Sequence, residues 1–189
     1  MPSTDVAVIV GSLRRDSLNR KFARILMGLA PESLRLRIVE IGDLPLYNLD
    51  LEESVPPAWA AFRDSMRRAQ AVLFVTPEFN RSVPGALKNA IDVGSRPYGG
   101  SIWSGKPAAI VSVSPGAVGG FGANHHLRQS LVFLDMPTLQ QPEAYIGGAD
   151  KLLDSHGALA NENTREFLTT YMRRFADWIA RHAVVHGDV

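Results

Sequence analysis

Apolar runs of strand length alternate with amphipathic helical stretches along the whole chain. Three runs, Val6–Val10, Ala71–Thr76 and Ala108–Val113, are almost continuously hydrophobic, as strands buried on both faces of a parallel sheet are. Two others, Leu36–Ile41 and Thr138–Gln141, are alternating or polar and suit the edges of a sheet. Five strands that alternate with helices predict an α/β fold with a doubly wound sheet.

Apolar residues at helical spacing predict five helices that connect and follow these strands. The helices are expected to begin at Leu18, at Pro57, after a Ser82 cap with Pro84 in the first turn, at His125 and at Thr164, the last running to about His182. If the two polar strands occupy the edges, the strand order is 2-1-3-4-5. That order predicts a flavodoxin-like five-stranded parallel sheet with helices on both faces.

Composition limits the classes of function that this fold can carry. The 189 residues suit a single domain, residues 1–189, and a net charge of +1 gives no reason to expect nucleic acid or a membrane surface as partner. The absence of cysteine excludes disulfides, thiolate catalysis and cysteine-bound clusters, and it suits the cytoplasm. No apolar stretch approaches the ~20 residues of a membrane span, and the first residues lack the pattern of a signal peptide. Because the chain has no cysteine for redox chemistry, any electron transfer needs a bound cofactor.

The loop after the first strand, Gly11–Asn19 (GSLRRDSLN), has the composition of a phosphate site. Such a loop directs backbone N–H groups and the positive end of the next helix toward a ligand. Gly11 permits close approach, Ser12, Ser17 and Asn19 add neutral donors, and Arg14 adds a cation suited to phosphate oxygens. From these residues alone, a helix cap at Ser17 with solvated arginines is an equally good interpretation.

The loops after the third and fourth strands, PEFNRSVPG and SPGAVGGFG, offer backbone amides and glycines that suit a flat polar ring. Because the carboxyl ends of parallel strands share one edge, the three loops should converge there. The dinucleotide fingerprint is not met, since Gly11 has no second glycine after it. A Walker-like stretch ends at Lys106, but Pro107 stands where magnesium needs a hydroxyl, and a strand follows. A mononucleotide with one phosphate, such as FMN, fits best.

Together, GSLRxxSxN, PEFNxSxPGxLKNAID and SPGAVGG resemble the NADPH-dependent FMN reductase family, nearest to its bacterial quinone and chromate reductases. The resemblance extends from about Val6 to Gly148. It implies non-covalent FMN, NAD(P)H as electron donor, and a small-molecule acceptor such as a quinone, a flavin, an azo compound or chromate. It also implies a homodimer or homotetramer. The alternative is a non-enzymatic electron carrier like flavodoxin, although such carriers are usually strongly acidic.

The resemblance also implies which residues bind FMN. The phosphate group is expected on Ser12, Arg14, Ser17, Leu18 and Asn19, and the ring between Pro77, Glu78, Phe79 and Asn80 on one side and Ser114, Gly116, Gly119 and Gly120 on the other. Two positions depart from the family's usual residues, Phe79 where tyrosine is frequent and Val93 where tryptophan is frequent.

No catalytic side chain and no metal site are expected, since hydride transfer is the flavin's own chemistry. His125 and His126 suit a helix cap or an interface better than catalysis. Tyr98 is a candidate lid over the ring, whereas Trp103 fits core packing better. Arg96 is a candidate for the NADPH 2′-phosphate or a solvated loop residue.

Overall fold

A computed structural model describes residues 3–182. Within this range five parallel strands form one sheet in the order β2-β1-β3-β4-β5, which confirms the predicted flavodoxin-like topology. Pairing of β1 with both β2 and β3 places the change in winding direction between the first and third strands. The strands are β1 Thr4–Val10, β2 Leu34–Val39, β3 Ala71–Thr76, β4 Ala108–Val113 and β5 Ala144–Ile146.

The helices cover both faces of the sheet because successive strand residues point to opposite sides. The helices are α1 Leu18–Leu29, α2 Pro57–Arg68, α3 Gly85–Gly94, α4 Phe121–Phe133 and α5 Glu162–His182, with short 3₁₀ helices at Leu49–Ser54 and Ala149–Leu152. Val6, Val8 and Val10 face α1 and α5, whereas Ala7 and Ile9 face α2, α3 and α4. No helix among residues 3–182 combines the length and the hydropathy needed to cross a bilayer.

The fifth strand differs from the prediction. Thr138, in the predicted strand Thr138–Gln141, forms only an isolated bridge with Ala108, and the strand that extends the sheet is Ala144–Ile146. Pro142 has no N–H group to offer a ladder, so regular pairing begins after it. The prediction favoured the wrong segment because three residues are too few for alternation to be recognised.

Three helices begin at other residues than predicted, and for α3 and α4 the contacts at the helix start differ as well. α4 begins at Phe121, four residues before His125, because Gly120 adopts a left-handed conformation (φ 76°) at the N-cap. In α3 the N-cap is Pro84, and Ser82 does not cap this helix because its backbone pairs with Phe79. The other boundaries shift by about two residues, with β2 ending at Val39 and α5 starting at Glu162.

The segment after β2 has no regular secondary structure beyond its 3₁₀ turn, yet side chains hold it in place. Asn89 on α3 accepts the Tyr47 N–H at 2.8 Å and donates to Leu44 O and Pro45 O, both at 3.1 Å. The indole of Trp59 on α2 also donates to Pro45 O at 2.9 Å. Two helices therefore fix the path of this loop beside the carboxyl edge of the sheet.

Tyr171→Phe is expected to flatten the loss of stability at alkaline pH. Tyr171 is fully buried and donates to Ile110 O at 2.8 Å, and burial raises its pKa well above the ordinary value. Above about pH 10 the unfolded chain ionises this phenol and the folded chain does not, so the free energy of unfolding falls by ~1.4 kcal/mol per pH unit. When the free energy of unfolding is measured with urea at several pH values above about 10, its decrease per pH unit should be smaller by that amount in the variant.

Exposed Tyr98 provides the matched control, since Tyr98→Phe should keep the alkaline slope of the parent protein. A Tyr171→Phe variant with an unchanged slope would mean that this phenol ionises alike in the folded and unfolded chains. The slopes are the quantity to compare, because Tyr171→Phe also removes one buried hydrogen bond and lowers stability at every pH.

Candidate functional site

The three loops identified in the sequence lie at the carboxyl ends of β1, β3 and β4, which are neighbours in the sheet. The first loop contacts β3 at Gly11, whose N–H donates to Val75 O at 2.9 Å. A Cβ at Gly11 would lie 3.0 Å from Thr76 Oγ1 and 3.1 Å from a Leu87 methyl. The loop after β1 is therefore seated tightly against the start of the loop after β3.

In the first loop Ser12 and Ser17 are buried, whereas Arg14 is exposed. The Ser17 side chain accepts the Arg20 N–H at 3.3 Å and so caps α1, which confirms the cap itself, whereas the phosphate site stays a prediction. This cap engages one of the four unpaired N–H groups of the first turn, and helix starts of this kind bind anions. Arg14 forms no ion pair with any other described residue.

Asn19 gives the clearest sign of a ligand at this loop. Its side chain is buried and donates to Val113 O at 3.3 Å, which ties α1 to the end of β4. Within the described part of the chain its Oδ1 has no hydrogen-bond partner. A buried acceptor without a donor costs about 1–3 kcal/mol. A hydroxyl-bearing ligand chain beside the phosphate loop would supply the donor, so these residues fit the ribityl phosphate of FMN.

A tight hairpin follows β3. Phe79 and Ser82 exchange two backbone hydrogen bonds of 3.0 and 2.9 Å, and the two residues between them, Asn80 (φ 50°) and Arg81 (φ 65°), are left-handed. Positive φ at both central positions is the geometry of a type I′ turn. The pairing leaves the N–H groups of Asn80 and Arg81 outside the hairpin, while the Phe79 ring is exposed. This arrangement suits a planar ligand that is bound by backbone donors and contacted by an aromatic side chain.

Glu78 has a role that the sequence did not reveal. Its carboxylate Oε2 accepts the Ala123 N–H of α4 at 3.1 Å, and its Oε1 lies 3.2 Å from an Arg81 nitrogen. The N-cap of α4 is Gly120, which has no side chain to fill this position. A residue of the β3 loop therefore caps the helix that follows the β4 loop, 45 positions along the chain.

The glycines of the β4 loop have a packing reason in addition to any contact with a ligand. Gly119 (φ 63°) and Gly120 (φ 76°) are both left-handed. A Cβ at Gly119 would lie 2.7 Å from the Tyr145 carbonyl carbon, and one at Gly120 would lie 3.0 Å from Ser112 Cβ. Gly116 lies at the exposed turn, where its N–H donates to Ser114 Oγ at 3.0 Å. The predicted close approach is therefore made first of all to β4 and β5.

The two adjacent histidines each contact a neighbouring element. His126 Nδ1 lies 2.9 Å from Ser82 Oγ, and His125 Nε2 lies 3.0 Å from the Tyr145 hydroxyl. Burial and the Glu143 carboxylate raise the pKa of Tyr145 to about 12, so the phenol stays protonated and can donate to His125. Residues 3–182 contain no cluster of three His, Asp or Glu side chains arranged to hold a metal.

The other candidates named from the sequence differ in burial. Trp103 is fully buried and donates to Ile91 O at 2.9 Å, which confirms its role in the core. Tyr98 is 94% exposed and Arg96 is exposed beside it, both at the far end of α3 from the hairpin. Val93 is buried within the same core cluster as Trp103.

Known proteins of similar sequence are reductases, which agrees with a site shaped for FMN. The model of the NADPH-dependent FMN reductase family matches residues 4–151. A quinone reductase of Pseudomonas putida strain KT2440 is 67% identical over 181 residues, 95% of this chain and 97% of that protein. A 2-hydroxy-1,4-benzoquinone reductase of a Burkholderia species is 45% identical over 174 residues, 92% of this chain and 95% of that protein.

A solved structure agrees with these relatives. FerB, a flavoenzyme NAD(P)H:(acceptor) oxidoreductase of Paracoccus denitrificans, superposes with a TM-score of 0.91 at 42% identity, over 96% of this chain and 100% of that one. A match over nearly the whole of both chains supports the fold from end to end. On its sequence, its topology and these relatives, the chain belongs to the NADPH-dependent FMN reductase family.

Proposed function

We propose that this protein is an FMN-dependent NAD(P)H oxidoreductase that passes electrons from reduced nicotinamide to quinones. The observation that carries the proposal is the buried Oδ1 of Asn19, which has no hydrogen-bond partner among residues 3–182 and lies where the loop after β1 meets the end of β4. A donor from a ligand would satisfy this atom, and a ribityl hydroxyl is of the right chemistry.

Each of the three loops has a distinct task in binding. Ser12, Arg14 and the first N–H groups of α1, at Leu18 and Asn19, would hold the phosphate, with Ser17 fixing the turn. Pro77, Phe79 and the N–H groups of the type I′ hairpin would face one side of the ring, and Ser114 to Gly120 would face the other. Bound FMN supplies the redox chemistry, accepting two electrons from NADH or NADPH and giving them to the acceptor. The protein binds, orients and shields the ring.

A quinone is proposed as the acceptor because relatives of high identity over nearly the whole chain are quinone reductases. The exposed Phe79 ring beside the hairpin offers a surface for a planar, apolar molecule. Free flavin, azo compounds and chromate are further acceptors for an open site of this kind. We also propose that residues 1–189 form one domain, since both core clusters are built on the same sheet. A cytoplasmic location is proposed because the sequence has no cysteine.

The test of this function is an absorption spectrum of the purified protein under nitrogen, before and after NADPH and then NADH. Flavin absorption bands at about 375 and 450 nm that bleach with either nucleotide and return on addition of a quinone support the proposal. Bands that persist with both nucleotides would indicate an electron carrier that needs a partner reductase. Failure to take up FMN at all would overturn the flavin assignment.

The oligomer we propose is a homodimer or homotetramer whose subunits meet on the surface of α3 and α4. Phe133 projects there and is 90% exposed. It lines a groove of about 570 Å³ between the two helices, whose wall holds Val83, Ile91 and Leu134 together with the charged Lys88, Asp92 and Arg96. A large exposed aromatic ring beside a groove of mixed apolar and charged character is typical of an interface between copies of one chain.

Phe133→Glu is expected to convert the oligomer to monomers. A carboxylate at this position would have to lose its hydration on contact with a second copy, whereas the phenyl ring it replaces gains free energy from burial there. Light scattering coupled to size exclusion measures the mass directly. Ala180→Glu is the control, because Ala180 is exposed on α5, across the sheet, and carries the same change in charge. A Phe133→Glu variant of unchanged mass would place the interface elsewhere.

A further inference from the structure

We propose that Glu78 is a positioning residue with two effects on the flavin site. Its carboxylate holds the β3 hairpin against the start of α4, and its negative charge makes bound FMN harder to reduce. The proposal rests on the proposed function, since it concerns the ring that the two loops enclose. Each effect follows from separate contacts and can be measured separately.

The first effect comes from the cap at α4. Gly120 occupies the N-cap without a side chain, and Glu78 Oε2 accepts the Ala123 N–H at 3.1 Å. Ala123 is the third residue of the helix, whose N–H an N-cap side chain usually binds. The bond links the loop after β3 to the first turn of α4, so the same carboxylate that completes the helix also fixes the distance between the two walls of the site.

The packing around this bond is tight. A Cβ at Gly122 would lie 2.9 Å from Glu78 Oε2 and 2.7 Å from Arg81 O, so the hairpin touches the backbone of α4 directly. His126 Nδ1 and Ser82 Oγ, 2.9 Å apart, form a second tie one turn further along. The hairpin and the first turns of α4 are therefore in direct contact, and the Glu78 hydrogen bond lies at the N-terminal end of that contact.

The second effect comes from the charge of Glu78. Its side chain is only 12% exposed, and its one cationic partner, Arg81, is 77% exposed and therefore screened by water. The carboxylate lies at the start of α4, where it accepts the Ala123 N–H. Its negative charge therefore lies beside the hairpin whose N–H groups are proposed to face the ring.

Reduction of FMN by two electrons with uptake of one proton leaves the ring with one more negative charge. A neighbouring carboxylate disfavours that state, as a like charge disfavours ionisation of a nearby group. Glu78 therefore weakens the binding of reduced FMN relative to oxidised FMN and lowers the reduction potential. The consequence for the reaction is a flavin that gives up its electrons more readily to the acceptor.

The test compares Glu78→Gln with Glu78→Ala in the full-length holoprotein. Glutamine keeps an oxygen that can accept the Ala123 N–H and removes the charge, whereas alanine removes both. In Glu78→Gln the ratio of reduced to oxidised FMN affinity should rise about tenfold, which is ~30 mV in a two-electron potential measured against a reference dye. The melting temperature of its apoprotein should stay within about 1 °C of the parent protein.

In Glu78→Ala the potential should rise similarly, and the apoprotein should also melt about 2–6 °C lower because the cap is lost. Glu32→Gln is the control, because Glu32 is exposed just before β2, at the amino edge of the sheet and opposite the three loops, and its removal should leave the potential unchanged. An unchanged potential in Glu78→Gln overturns the effect of the charge. An unchanged melting temperature in Glu78→Ala overturns the positioning role. Loss of FMN from the parent protein itself would instead overturn the proposed function, and the apoprotein melting temperatures would still test the cap.

Discussion

Arg14→Ala is expected to weaken FMN binding by roughly ten- to a hundredfold while leaving the melting temperature of the apoprotein unchanged. A hydrogen bond between a guanidinium and a phosphate contributes about 1.5–3 kcal/mol, which corresponds to that range of affinity. Arg14 is exposed and forms no ion pair with another described residue. Its removal therefore leaves no buried charge behind, and the loss should be confined to the ligand.

Arg15 supplies the matched control for this measurement, because it is the next residue, equally charged and also exposed. Arg15→Ala should alter FMN affinity only slightly if the phosphate is bound by a directed contact with Arg14. Equal losses in both variants would mean that the loop attracts FMN through its general positive charge. Fluorescence quenching on titration of the apoprotein with FMN gives both dissociation constants.

Gly119→Ala is expected to destabilise the apoprotein by roughly 3 kcal/mol or more. A left-handed backbone costs an L-residue about 1–2 kcal/mol, and Gly119 has φ 63°. The added Cβ would also lie 2.7 Å from the Tyr145 carbonyl carbon and 2.9 Å from its oxygen, which are backbone atoms and cannot rotate away. The β4 loop and β5 would have to separate. Urea unfolding of the FMN-free protein measures the effect independently of ligand binding.

Gly28→Ala tests the same substitution where the structure predicts the opposite sign. Gly28 lies in α1, and a Cβ there would meet no atom within 4 Å. Alanine in a helix is favoured over glycine by about 0.5–1 kcal/mol, so this variant should be more stable than the parent protein. If both variants had the same stability as the parent, the tight packing of the β4 loop against β5 would be contradicted.

Most of the fold could be predicted because its information is local. The buried strands are recognised by β-branched runs such as VAVIV and AVLFVT, and amphipathic spacing marks α1 and α5. The edge strand β5 could not be predicted in this way. It is three residues long, and its position depends on pairing with Val111–Val113, more than thirty residues earlier.

The site was predictable to the level of loops and less so to the level of atoms. Gly11, Ser12, Ser17 and Arg14 after the first strand predict a phosphate site, although the same residues alone suit a helix cap equally well. The capping of α4 by Glu78 was not predictable, since nothing in PEFN or GGFG requires the two segments to meet at one hydrogen bond. Nor does the sequence reveal that Gly119 packs against Tyr145 of the neighbouring strand.

Asn89 has a consequence for the motions of the protein. The Tyr47 amide lies outside every described helix and strand, yet it donates to the Asn89 side chain, and three hydrogen bonds that hold this loop end on that one residue of α3. Exchange of this amide with deuterium therefore requires α3 to shift or its asparagine to rotate. The exchange rate of the Tyr47 N–H therefore reports local opening of α3, the helix that follows the β3 hairpin.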